Sequence, residues 1–211
     1  MRVKICGITS VQDARMAEQS GADAIGLIFA EGSKRQLTIQ AAEEIADSVG
    51  PFVSRVGVFR NQPLEFVLSA AARLRLAAVQ LHGDEPEEYV TAVRERFRVV
   101  KAVAYARGLT PEALASWQAD AILLDAPQPG SGSTFDWDAA AAAFSGVPGL
   151  ILAGGLNPDN VAEAIARFSP AAVDVASGVE AAPGVKSAHL VRQFIASARQ
   201  QSALSTGRSV Y

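Results

Sequence analysis

Eight short apolar runs, spread along the whole chain and separated by helical patterns, limit the possible folds more than any other feature. They are RVKICGI from Arg2, AIGLIFA from Ala24, SRVGVF from Ser54, AAVQLH from Ala77, RVVKAVAY from Arg98, AILLD from Ala121, GLILAGG from Gly149 and AAVDVAS from Ala171. None alternates cleanly between apolar and polar residues. Such strands are buried on both faces, as in a parallel sheet. The segments between them have helical spacing. SVQDARMAEQSGA carries Val11, Ala14 and Ala17 on one face and stops at Gly21. TIQAAEEIADSVG opens with the Thr38-to-Ala41 spacing of a capping box, without its acidic partner, and ends at Gly50. NPDNVAEAIARF places Pro158 just inside a helix that Asn157 can cap. A short fifth helix lies near Pro111 to Trp117, and the last helix runs from about Lys186 to Ala203.

Strand–helix units that start roughly 20 to 30 residues apart imply a parallel sheet with right-handed crossovers. Eight units with no leftover domain predict a single closed (β/α)8 TIM barrel over residues 1–203. The length of 211 residues suits the lower end of that fold's range. The competing fold is an open doubly wound sheet, which usually has fewer strands and a glycine-rich dinucleotide turn after the first. CGITS is not such a turn. The tail from residue 204, ending STGRSVY, is polar and patternless and is expected to fray.

Composition narrows the function classes. A net charge of −3 makes no electrostatic case for nucleic acid or an anionic membrane. No apolar run approaches the roughly 20 residues of a membrane span. The N-terminus lacks the apolar stretch and cleavage site of a secretory signal. The single cysteine cannot form an internal disulfide, and two histidines are a poor start to a metal site. The expectation is a cytoplasmic protein with a reduced thiol, no metal and no cofactor.

In a (β/α)8 barrel the active site forms where the C-terminal ends of the strands meet their loops. The strand ends therefore name the candidates: Cys6 after the first strand, Arg35 in the loop after the second, His82 after the fourth and Asp125 after the sixth. Gly154 and Gly155 follow the seventh, and Asp174, Ser177 and Gly178 belong to the eighth and its loop. Each also has an ordinary structural reading. A lone cysteine packs as a small apolar filler, a strand-end histidine or aspartate anchors a loop, and a loop arginine is solvated. Their coincidence on one barrel face argues for chemistry. The loops AGGLNPDNV and ASGVE carry the firmest signal. Their glycines let backbone N–H groups approach a ligand, and barrels often bind a phosphate group there. A phosphorylated small molecule is the expected substrate, and the absence of a Walker-type loop argues against nucleotide triphosphate hydrolysis.

Taken in order, KICGIT, GVF, QLHGDE, LLD, TFDW, LAGGLNPDNV, DVASGVE and PGVK resemble the phosphoribosylanthranilate isomerases of tryptophan biosynthesis. The resemblance spans essentially the whole chain. It implies an Amadori rearrangement of N-(5-phosphoribosyl)anthranilate to the 1-deoxyribulose 5-phosphate product, with no redox carrier or metal. An acid protonates the ribose ring oxygen as the ring opens to an iminium, and a base then removes the proton from C2. By the same resemblance Cys6 is the base and Asp125 the acid. Arg35 meets the anthranilate carboxylate through its two-pronged fork. His82 lies near the anthranilate, and Asp174 contacts sugar hydroxyls. The amides of Gly154, Gly155, Ser177 and Gly178 hold the phosphate. Relatives are monomers or homodimers.

Elementary chemistry fits this assignment. A free thiol has a pKa near 8.5, so only about 3% is thiolate at pH 7. A cationic iminium beside it favours the thiolate. A carboxylic acid must start protonated, so Asp125 needs burial or a neighbouring negative charge to keep its proton. The sequence departs from the family pattern at Ser133, where many relatives have lysine, at Ala176 in place of serine and at Ser187 in place of aspartate. Two rivals remain at this stage. One is the related barrel isomerase of histidine biosynthesis, expected to use aspartates at both strand ends on a substrate with two phosphates. The other is a barrel that binds a phosphosugar without catalysis.

Overall fold

All eight apolar runs become strands. In the computed structural model, which describes residues 1–106, 108–126 and 136–206, they are β1 (Arg2–Cys6), β2 (Ala24–Ile28), β3 (Ser54–Phe59), β4 (Ala78–Leu81), β5 (Val99–Ala104), β6 (Ala121–Asp125), β7 (Leu150–Leu152) and β8 (Ala172–Val175). They pair in chain order, all parallel, and β8 returns to β1 to close the barrel. The helices α1 (Val11–Gln19), α2 (Ile39–Asp47), α3 (Leu64–Arg73), α4 (Glu87–Arg94), α5 (Pro111–Ala115), α6 (Trp137–Phe144), α7 (Val161–Phe168) and α8 (Ala188–Thr206) fall between and after them. This is the (β/α)8 barrel, and no described helix is long and apolar enough to cross a membrane.

The barrel explains why the runs do not alternate. Side chains on a strand point to opposite faces in turn, but here both faces are buried. One set, including Val3, Ile5, Ile25, Leu27, Val79, Leu81, Val173 and Val175, packs against the helices in the main core. The other set faces the lumen, where Ala102, Leu123 and Ala153 form a small separate cluster. The register sets Lys4 beside Asp174 on one side and Ala24 on the other, and Cys6 beside Gly26. The lumen therefore turns from apolar to polar around β1 and β8.

Local signals explain most helix starts. The Ser10 hydroxyl accepts from the Asp13 N–H at 3.1 Å and the Thr38 hydroxyl from the Ala41 N–H at 3.2 Å, each capping the helix that follows. Two starts differ from the sequence reading. α7 begins at Val161, three residues after Pro158, because the Asn157 side chain captures the N–H groups of Asp159 and Asn160 in a turn that precedes the helix. α8 begins at Ala188, since Lys186 belongs to a short antiparallel hairpin of β9 (Glu180–Ala182) and β10 (Val185–Lys186). The backbone of α8 reaches Thr206, past the expected start of the tail. Residues 207–211 lie outside the described residues.

One buried ion pair braces the site from behind. Lys101 Nζ lies 2.7 Å from Glu85 Oε2, with both side chains 2% exposed. Lys101 also donates to the Gly83 carbonyl, and Glu85 accepts from the N–H groups of Gly83 and Asn61. Burial pushes the Glu85 carboxyl up, but the Asn61 N–H and Lys101 outweigh it and hold the group below its usual range. Together they fix the loop that follows His82. Lys101→Met leaves Glu85 buried without its counter-charge. Urea unfolding should show a loss of about 3–5 kcal/mol; a loss within the about 0.5 kcal/mol of a neutral surface change would mean the pair braces nothing.

Candidate active site

The C-terminal ends of the strands open on a cavity of about 720 Å³. Cys6, Arg35, His82, Asp125, Gly154, Gly155, Asp174 and Ser177 all line it. Gly178 does not. A Cβ on Gly178 would overlap the Leu156 carbonyl oxygen, so its bare backbone lets the loops after β7 and β8 close on each other. Ser133 lies outside the described residues.

Cys6 ends β1 and is 5% exposed. Gly26, its neighbour on β2, makes room for the sulfur: a Cβ there would stand 2.6 Å from Cys6 Sγ. Two residues earlier on the same strand face, Lys4 Nζ lies 2.9 Å from Asp174 Oδ1. Burial pushes the Cys6 thiol above its ordinary pKa. The Lys4 cation opposes that shift, and the Asp174 carboxylate reinforces it. Burial also works against the Lys4 ammonium, but Asp174 and Cys6 hold its pKa above the ordinary value.

Across the lumen, three polar side chains form a chain. Gln80 Nε2 lies 3.0 Å from His82 Nδ1, and His82 Nε2 lies 3.1 Å from Asp125 Oδ2. The other Asp125 oxygen accepts from the Ala126 N–H at 2.7 Å. The Gln80 amide donates to Nδ1, which leaves Nε2 to carry the imidazole proton toward Asp125. Gln80 Oε1 is buried and without a hydrogen-bond partner among the described residues. His82 is thus tied to Asp125 as well as facing the cavity.

Arg35 differs from the expectation of a free fork. Its Nε and Nη2 already donate to Glu180 Oε1 and Oε2, at 2.6 and 2.7 Å. Glu180 also accepts from Lys186 Nζ at 2.9 Å. The physical reason is the hairpin β9–β10, which carries both residues. It is held by the Asp13 carboxylate, which accepts from the Lys186 N–H, and by the Thr9 hydroxyl, which donates to the Gly184 carbonyl. Burial pushes Glu180 up, yet Arg35 and Lys186 keep it ionised below its usual range. Among the described residues, this leaves Nη1 and the outer edge of the guanidinium to meet an anion.

In the loop after β7, Gly154 and Gly155 take left-handed backbone with φ of 84° and 67°, conformations that favour glycine. Asn160 fixes this loop by donating to the Gly155 carbonyl at 3.0 Å. Ser177 opens a 3₁₀ turn, Ser177–Val179, beside it. The cavity therefore offers glycine loops at β7 and β8, a guanidinium after β2, a thiol at the end of β1 and a carboxyl at the end of β6.

Residues 3–197 match the family model described as N-(5'phosphoribosyl)anthranilate (PRA) isomerase. The chain belongs to the phosphoribosylanthranilate isomerase family. It is 48% identical over 203 residues to N-(5'-phosphoribosyl)anthranilate isomerase of Geobacter metallireducens, covering 94% of this chain and 99% of that relative. The solved phosphoribosyl anthranilate isomerase of Thermus thermophilus is 46% identical with a TM-score of 0.88, covering 95% of this chain and 99% of that one. Another solved member, in complex with reduced 1-(o-carboxyphenylamino)-1-deoxyribulose 5-phosphate, is 40% identical with a TM-score of 0.81, covering 95% and 99% of the two chains.

For this member of the phosphoribosylanthranilate isomerase family, sequence reasoning missed Lys4, Gln80, Glu180 and Lys186. Lys4 and Gln80 each interrupt an apolar strand run, two residues before a site residue, and the two-residue period of a strand puts each pair on one face. That signal was readable. Glu180 and Lys186 come from a hairpin with no pattern of its own.

Proposed function

We propose that this cavity isomerises N-(5'-phosphoribosyl)anthranilate to 1-(o-carboxyphenylamino)-1-deoxyribulose 5-phosphate, with Cys6 as the base and Asp125, paired with His82, as the acid. The observation that carries the reading is a thiol and a carboxyl lining one cavity with the Arg35 guanidinium and the glycine loop after β7. In its acid form the pair holds one proton beyond that of the neutral imidazole, and Asp125 gives that proton to the ribose ring oxygen. The C1–O bond breaks, and the anthranilate nitrogen lone pair forms the iminium. The thiolate of Cys6 takes the C2 proton, and the electrons of that C–H bond neutralise the iminium to give an enaminol. A proton added at C1 and one lost from the C2 hydroxyl complete the aminoketone. Hydrogen moves within one molecule, so the step calls for no redox carrier or metal. The Asp174 oxygen that Lys4 does not engage faces the sugar hydroxyls. The amides of Gly154, Gly155 and Ser177 take the phosphate, and Gly178 contributes by letting the two loops approach.

The test is incubation with phosphoribosylanthranilate, following the loss of its anthranilate fluorescence. Rapid, enzyme-dependent loss is expected. A flat trace would favour a barrel that binds without catalysis. Turnover confined to the two-phosphate ribonucleotide of histidine biosynthesis would favour that isomerase, although Cys6 in place of an aspartate argues against it.

The reading sets the protein in the cytoplasm, where a lone thiol stays reduced. It also favours a homodimer over a monomer. A relative from Thermotoga maritima is described as dimeric, and Phe52, 96% exposed just before β3, offers this chain an apolar contact for a second copy.

Arg35 is assigned to the anthranilate carboxylate, a charge present from substrate to product. Contacts equal in ground and transition state raise KM when lost and leave kcat unchanged. Arg35→Ala should raise KM about 10- to 100-fold, the worth of a hydrogen bond to a charged group. Glu180, left with Lys186 alone, adds repulsion. An analogue lacking the carboxylate should escape most of the effect, and equal damage to that analogue would sink the assignment.

A further inference from the structure

Cys6 is nearly buried, and a thiolate forming in such a place needs a nearby positive charge. The charged and titratable groups around it come from every side of the mouth. Lys186 and Arg35 approach from the β10 and β2 sides, but Glu180 binds both. Asp174 on β8 opposes a thiolate, and Asp125 and His82 line the cavity from β6 and the end of β4. Lys4 is different. It shares the lumen face of β1 with Cys6, and the register sets it directly beside Asp174. Its side chain is 9% exposed and that of Asp174 is 8% exposed.

We propose that Lys4 is the positioning residue of the base: its ammonium donates to Asp174 and to Cys6 together, so that the thiolate forms against a fixed cation. An ammonium carries three donors. Asp174 Oδ1 takes one at 2.9 Å, which leaves others for the Cys6 sulfur, two residues further along the same face of β1. Gly26 leaves the sulfur unobstructed on its other side. Burial drives the thiol up, and Lys4 pulls it back more strongly than Lys186 does. Asp174 holds the ammonium in place and draws on part of its charge. The inference rests on the reading of Cys6 as base, but its test does not.

Cys6 is the only cysteine in the chain, so its titration can be read from the rate of alkylation by iodoacetamide across pH in the full-length folded protein. Lys4→Gln keeps a donor for Asp174 and removes the charge. The alkylation midpoint should rise by about one pH unit or more, slowing alkylation about tenfold near neutrality. Asp174→Asn keeps an oxygen for Lys4 and removes the competing anion, so the midpoint should fall. If Lys4→Gln does not fold, Asp174→Asn decides alone. A wild-type midpoint in folded Lys4→Gln, or a midpoint that fails to fall in Asp174→Asn, overturns the proposal. The kcat of Lys4→Gln should also recover as pH rises; an equal loss at every pH would mean that Lys4 merely packs β1 against β8. Should Cys6→Ser keep its turnover, the base assignment falls while the alkylation midpoints still report on Lys4.

Discussion

Cys6→Ser is expected to abolish turnover while binding of a reduced product analogue survives. Serine keeps the shape of the site. The smaller oxygen fits beside Gly26, where the sulfur already has room. What changes is acidity. An alkoxide is far harder to form than a thiolate, and this thiol is already pushed up by burial. A base of this kind contributes about 10²- to 10⁴-fold, so kcat should fall by at least the lower figure. Binding energy comes from the rims of the cavity, which the substitution does not touch. Calorimetric titration with the analogue should therefore give a near wild-type Kd. A kcat close to wild type would remove Cys6 from the mechanism, and loss of analogue binding would mean that the sulfur is a packing element.

The fold was legible because burial on both faces leaves a strong mark. RVKICGI and AILLD could not be surface strands, and eight such runs leave few topologies. The strand ends were legible for the same reason, since a barrel collects them on one rim. Less was legible where a residue's partner comes from a segment without pattern. Arg35 looked like a free fork because nothing in EGSKRQ announces that Glu180, far along the chain, occupies it. The early start expected for α7 has a different cause. Pro158 is a good first-turn residue, but the Asn157 side chain satisfies the next N–H groups in a separate turn, and a local hydrogen bond outweighed the propensity. Lys4 lay in plain sight within KICGIT. Its meaning depends on Asp174 across the β1–β8 seam, a pairing that only barrel closure creates.

Asp125→Asn should lower kcat by at least about 10²-fold, the lower end of what general acid catalysis contributes, without unfolding the protein. The fold can absorb the change. The new amide keeps an oxygen for the Ala126 N–H, which Asp125 now accepts at 2.7 Å. Its NH₂ would then face His82 Nε2, which must become an acceptor and move its proton to Nδ1. Gln80 can meet that proton by turning its amide, because its Oε1 is buried without a partner among the described residues. The hydrogen bonds are conserved and only the transferable proton is lost. That loss matters solely where the ring oxygen must be protonated. A substrate analogue already in open-chain form bypasses ring opening, so its C2 proton exchange should be far less affected than overall turnover. The two measurements separate the roles. An unfolded variant would make Asp125 an anchor for the loop at the end of β6. A folded variant that slows open-chain exchange as much as turnover would put Asp125 on the C–H step, and the acid would then have to be sought in His82, whose Nε2 stands 3.1 Å from the same carboxylate.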